Sequence, residues 1–302
     1  MGRQEQTNHL FSNRDLRILL VPLIVEQILN SLMGTADSIM VSNVGSAAIS
    51  AVSLVDSINI LVIQAFYALA AGGTIVCSQY IGQKDKKNAE ESARQLSFVV
   101  ACISSAVMAV CLLTRGPLLR LIFGSVEADV MEAAQIYFFY TALSFPFIAL
   151  YDAGSSIYRA QGNTRLPMTI AVVSNGLNIA GNAVLIWGFH LGVAGAAIAT
   201  VAAQLLSLVG CTVYTLRKYP ALRPERADWC VPLSSIAAHI KQGVPLGLQF
   251  SILAIGIIVM QGAVVKFDLT ATGEMVAGTP AQNGFGAANK LLKFLMAAYT
   301  GL

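Results

Sequence analysis

Two carboxylates, Glu26 and Asp37, stand in the apolar stretch PLIVEQILNSLMGTADSIMV, which runs from Pro22 to Val41. At about 100° per residue, Glu26, Asn30 and Asp37 fall within roughly 40° of one another on a helix and form one polar stripe. A carboxylate at bilayer depth costs about 3 kcal/mol on insertion scales, so it faces a cavity or pathway rather than lipid. The chemistry open to such an acid is the gain and loss of a proton or the binding of a cation. Asp37 has no inexpensive packing role, whereas Glu26 and Asp56 stand nearer the expected helix ends, where interfacial water can solvate them.

Other apolar segments carry polar faces of their own. Ser50, Ser53, Asp56 and Asn59 follow at i+3 steps, and Tyr137, Thr141, Ser144, Ile148, Asp152 and Ser155 are spaced 4, 3, 4, 4 and 3 along a single helical face. Ser174, Asn178 and Asn182 lie at i+4 intervals in a later segment, with Thr200, Gln204 and Ser207 in the next. Serine, threonine and amide side chains in membrane helices often only bond a neighbouring helix, at about 0.6 kcal/mol per contact. Asp152 falls within two turns of Arg159 and is placed to pair with it. His9, His190 and His239 occupy tails, connectors or helix ends, so no buried histidine base is expected. No GxSxG, HExxH or Walker-type run occurs, and the chain does not read as an enzyme. Without a nucleotide site, an ion gradient acting on a buried carboxylate is the expected energy source.

The elements that position these residues are membrane helices. Of the 302 residues 56% are hydrophobic and 12% charged, with a mean hydropathy of +0.67, against about 25% charged in soluble proteins. A net charge of +3 is too small and dispersed for nucleic acid. The five cysteines show no metal or disulfide spacing and read as small hydrophobes. Apolar runs at about 16–42, 48–81, 93–114, 131–158, 166–188, 192–216, 236–265 and 280–302 predict eight spans. Alternate connectors hold fourteen Lys and Arg against three, which predicts a multi-pass protein of the cell inner membrane with a cytoplasmic N-terminus. Val21-Pro22-Leu23 recurs as Val244-Pro245-Leu246, and AVSLVDSINIL (51–61) lines up with GAANKLLKFLM (286–296). Six spans separate the copies, so the repeats are parallel, related by an axis along the membrane normal. The expected division is a six-helix lobe over 1–220, a cytoplasmic linker over 221–240 and the start of a second lobe over 241–302. On this reading the product is truncated within its second lobe.

Several strings together resemble the multidrug and toxic compound extrusion (MATE) transporters, particularly the prokaryotic branches. These are PLIVEQ from Pro22, DSIMV from Asp37, AAGGT ending at Thr74, SQYIG from Ser78, RAQGNTRLP from Arg159, NIAGN from Asn178 and GVAGAAIAT from Gly192. The resemblance implies an all-α integral membrane bundle of the multidrug/oligosaccharidyl-lipid/polysaccharide flippase superfamily, with a complete first lobe and two helices of the second. It implies a cation site at Asp37 with Asn178, Asn182 and Thr200, a surrounding network that includes Tyr137 and Ser155, and a hinge at Pro22. Asn182 stands where some members have an aspartate, and the seventh segment lacks an acid that some members use.

The function expected is H+- or Na+-coupled export of amphipathic, cationic compounds by alternating access. The coupling ion is the sole expected cofactor, and Asp152, Glu26 and Asp56 are further members of the possible cavity network. Expected partners are the substrates and membrane lipids, with no nucleic acid, and a monomer when full length. The alternatives are a flippase for lipid-linked saccharides, which calls for buried Arg or Lys in the cavity, and a non-transporting remnant.

Overall fold

The computed structural model describes residues 13–124, 126–223, 233–268 and 280–300. Their regular structure is helical throughout: α1 (Asn13–Ser42), α2 (Ser46–Gly82), α3 (Lys86–Phe123), α4 (Ala128–Leu143), α5 (Phe145–Ala160), α6 (Arg165–Asn182), α7 (Gly192–Lys218), α8 (Leu233–Val265) and α9 (Pro280–Thr300). Arg3, His9, Arg226, Cys230 and the middle of the expected linker lie outside the described residues. α8 begins at Leu233, inside the 221–240 segment.

Among the described residues five helical stretches are long and apolar enough to cross a membrane: 46–82, 86–123, 165–188, 192–218 and 236–268. The pair α4 and α5 makes a sixth when taken as one bent span. The apolar runs predict eight. Of the two other runs, 16–42 forms α1 with its polar stripe, and 280–302 begins as α9, whose Gln282, Asn283, Asn289, Lys290 and Lys293 lower its hydropathy.

The segment 131–158 is a broken span, bent by 43° at Ser144, and not one straight helix. Pro146 has no N–H for the carbonyl of Ala142, and the Ser144 hydroxyl turns back to donate to the Thr141 carbonyl at 2.6 Å. The single face expected from Tyr137 to Ser155 is therefore split between two helix axes. Pro22 has the same defect inside α1 with a different outcome. It leaves the Ile18 carbonyl without its helical donor, and the buried Thr164 hydroxyl, just ahead of α6, donates to that oxygen at 3.4 Å.

α2 runs through the centre of the core. Leu54, Val55, Ile58 and Phe66 are buried with Leu96 and Val100 of α3, Phe138 of α4 and Phe145 of α5. The Phe66 and Phe145 rings meet edge to face with centroids 5.9 Å apart, the arrangement favoured by their quadrupoles. α8 lies along α2, and α9 along α1. A two-fold operation exchanging α1 with α8 and α2 with α9, the pairs aligned by the sequence repeat, converts one of these contacts into the other.

The α2–α8 crossing is close because it is made of glycine. A Cβ on Gly72 would stand 2.5 Å from the Gly243 nitrogen, and one on Gly243 would stand 2.7 Å from the Ala68 carbonyl. This crossing corrects the expectation of no buried histidine. His239, one turn before Gly243, is fully buried, with Nε2 3.2 Å from the Ser92 hydroxyl of α3. Its helix-end position in the sequence suggests an interfacial ring, but packing against α2 and α3 encloses it.

Candidate functional site

The stripe on α1 docks against α6 in a fixed register. Asn175 donates its amide to Asn30 Oδ1 at 3.1 Å, and Asn182 donates to Asp37 Oδ1 at 2.5 Å; both pairs are 145 residues apart. Constant offset means that the two helices run parallel, so residues seven apart on one meet residues seven apart on the other. The chemistry of the stripe then depends on which partners α6 supplies.

At Asp37 they are amides and a hydroxyl. Asn182 uses its second N–H on Asn178 Oδ1 at 3.1 Å, Asn178 donates to Thr200 Oγ1 on α7 at 3.2 Å, and Thr200 donates to the Ala196 carbonyl at 3.0 Å. Asn178 and Asn182 are fully buried, and Asn182 Oδ1 has no partner. Directly after Asn182 the helix widens into a π turn over Ala183–Gly188, a feature often found at functional positions because it shifts the side chains that follow. The four residues expected at the cation site are thus one hydrogen-bonded chain ending on the carboxylate.

Asp37 also lines a cavity of about 350 Å³ between α1, α2, α4, α5 and α7. Its polar lining includes Asn30, Asp56, Tyr137, Thr200 and Gln204, and the Tyr137 hydroxyl donates to Asp56 Oδ1 at 3.4 Å. Two carboxylates and, among the described residues, no Lys or Arg line this space. A cation entering it gains Coulomb attraction in a medium of low dielectric, and an anion meets repulsion.

Glu26, Asp152 and Ser155 belong elsewhere. They do not line the Asp37 cavity. Glu26 is 3% exposed and bonded by Arg159 of α5 at 2.5 Å, so it is held by a buried ion pair and not by interfacial water. Arg159 bonds Glu26, and its charge also acts on Asp152, two turns away on α5, without an ion pair between these two among the described residues. The Ser155 hydroxyl donates to the Asp152 carbonyl at 3.1 Å, within its own helix. Asn175 is not among the residues singled out from the sequence; its spacing of seven from Asn182, matching that of Asn30 and Asp37, is the signal that finds it.

A model of the MatE family matches residues 22–184, a span that contains Asp37, Asn178 and Asn182. The chain belongs to the MatE family. Among relatives of this family it is 34% identical over 245 residues to the uncharacterized transporter YisQ of Bacillus subtilis, covering 80% of this chain and 52% of the relative. It is 24% identical over 252 residues to the probable multidrug resistance protein NorM of Thermotoga maritima, covering 81% and 53%. The solved structure of the MATE multidrug transporter DinF-BH superposes with a TM-score of 0.85 at 23% identity, covering all of this chain and 65% of that one. The MatE chain described here therefore has the all-α, multi-pass membrane fold of these transporters, and spans about half the length of the curated relatives it matches.

Proposed function

We propose that this MatE chain serves cation-coupled export of amphipathic cations, with Asp37 as the residue that exchanges a proton or Na+ for substrate. The observation that carries the reading is the cavity around Asp37, lined by two carboxylates and, among the described residues, by no Lys or Arg. A lipid-linked saccharide bears phosphate and calls for Arg or Lys in that place, so the flippase reading is disfavoured. The excess of Lys and Arg in alternate connectors supports a cytoplasmic N-terminus in the inner membrane.

The hydrogen-bond chain suggests how protonation is transmitted. An ionised Asp37 only accepts, and every amide and hydroxyl in the chain donates toward it or onward to Ala196. A protonated Asp37 must donate, and the unpartnered Oδ1 of Asn182 receives that bond once the amide turns over. The turned amide then needs Asn178 to turn as well, and Thr200 to release the Ala196 carbonyl for Asn178. Loading at α1 thereby changes a contact on α7, the differential interaction that a shift between inward- and outward-open states requires.

The test uses the purified chain and the lipophilic cation tetraphenylphosphonium. Binding should release protons, weaken as pH falls or Na+ rises, and drop at least tenfold in Asp37→Asn. Equal affinity and equal pH and Na+ dependence in Asp37→Asn would overturn the proposal.

A further inference from the structure

Of the two histidines among the described residues, His190 is exposed and His239 is fully buried, at one end of the α2–α8 crossing. α8 runs antiparallel to α2. Gly243 meets Gly72, Gly247 meets Ala68, and further on Gln261 donates to the Ser53 hydroxyl at 3.5 Å, so each step along one helix is a step back along the other. At the His239 end the approach is backbone on backbone: a Cβ on Gly72 would stand 2.5 Å from the His239 carbonyl oxygen as well as from the Gly243 nitrogen.

The ring has one polar partner for its two nitrogens. Nε2 is 3.2 Å from the Ser92 hydroxyl of α3, which also takes the Cys77 thiol of α2 at 3.4 Å. Nδ1 is buried and has no hydrogen-bond partner among the described residues. A neutral imidazole that donates from Nε2 to Ser92 keeps Nδ1 free of a proton, and one serine oxygen accepts both the ring N–H and the thiol. Protonation adds an N–H at Nδ1, where the closed crossing has no acceptor. A buried unsatisfied donor is costly, and more so when it carries charge.

No carboxylate offsets that charge. From α2 the titratable side chains at this level are Cys77, joined to Ser92, and Tyr80, one turn on. From α3, Glu91 and Arg94 flank Ser92; Glu91 takes the Gln95 amide at 3.0 Å, and Arg94 lines a separate cavity between α3, α5 and α7. On α8 itself Lys241 is exposed, and Lys266 and Asp268 follow the opposite end of the helix. Among the described residues no charged side chain acts on the ring.

We propose that His239 is a pH-sensitive latch: the α2–α8 crossing closes around the neutral imidazole and opens at that end when the ring is protonated. Once α8 lifts from Gly72, water reaches Nδ1 and supplies the missing acceptor, so protonation and opening favour each other. Histidine ordinarily titrates at about pH 6.5, so the closed form is favoured above that value and loses ground as pH falls below it. The end that opens is the one next to the Lys84–Lys87 connector, since Ser92 lies in the second turn of α3. The latch is independent of Asp37 and of the transport reading.

The experiment is double electron–electron resonance on the 302-residue protein in detergent, its native cysteines replaced by serine, with spin labels at Gln83→Cys and Ala238→Cys, two exposed positions on either side of the crossing. Between about pH 7.5 and about pH 5.0 the fraction of longer distances should grow at least about fivefold. His239→Gln, which keeps a neutral amide for Ser92, should hold the short distance at both pH values. Gly243→Ala, which drives a Cβ into the Ala68 carbonyl, should give the longer distances at both and so calibrates the open form. An unchanged distance in the labelled parent overturns the proposal, and so does an equal pH response in His239→Gln. His239→Asn takes the place of the glutamine variant if that one folds poorly, and the same response in it is equally decisive.

Discussion

Glu26 and Asp37 are the same functional group on the same helix, eleven residues or about 16 Å apart, and the fold treats them in opposite ways. Glu26 meets a guanidinium and is neutralised as a buried ion pair. Asp37 meets amides, a hydroxyl chain and an open cavity, with its charge left for something that enters. An acid held by Arg159 serves to tie α1 to α5 through a side-chain ion pair. Burial of an acid thus marks function only when the cation that balances it is not already part of the chain.

The ion pair is where this contrast is most open to test. Arg159→Leu leaves Glu26 buried without its partner and should lower stability by about 3 kcal/mol, read as a fall in unfolding temperature in detergent. Adding Glu26→Leu should restore most of the loss while tetraphenylphosphonium binding persists. Unaltered stability in the single variant would mean that Glu26 is solvated and that the two acids do not differ in kind. Asp37→Asn should show the reverse pattern, with stability kept within about 1 kcal/mol. Its loss appears in cation binding and the accompanying proton release, at least tenfold.

Smaller effects define the role of α6. Asn182→Ala removes one intramembrane hydrogen bond to Asp37, worth about 0.6–1.7 kcal/mol, and should shift the pH and Na+ profile of binding without abolishing it. An unchanged profile would separate the Asn182 chain from the chemistry of Asp37. Asn175→Ala should cost about 0.6 kcal/mol of stability and leave cation binding as it was, since its partner Asn30 carries no charge. A change in binding at that position would extend the functional site along the whole stripe.

Much of the site is legible because membrane helices expose their logic in sequence. A polar residue in an apolar segment is conspicuous, and the 100° rotation per residue sorts it onto a face. With the family resemblance added, this groups Asp37, Asn178, Asn182 and Thr200, and it brings Tyr137 and Asp56 into the network. Partners are what the sequence misassigns. Proximity in the chain pairs Asp152 with Arg159, and the Arg159 charge does act on Asp152, but the guanidinium bonds Glu26, 133 residues away. Position near a helix end gives Glu26 and His239 to water, yet it says nothing about the helix packed against them.

Composition and periodicity suffice to establish that this is an all-α membrane protein, which segments are apolar, and which faces of them are polar. Those properties are local: hydropathy and rotation per residue need no knowledge of a neighbour. The break at Ser144, the glycine crossing that buries His239, and the parallel register of α1 with α6 emerge only from tertiary packing. That register separates the two acids of the Pro22–Val41 stretch. A difference of side-chain surroundings, set by helices more than a hundred residues distant, gives one carboxylate an arginine and the other a cavity.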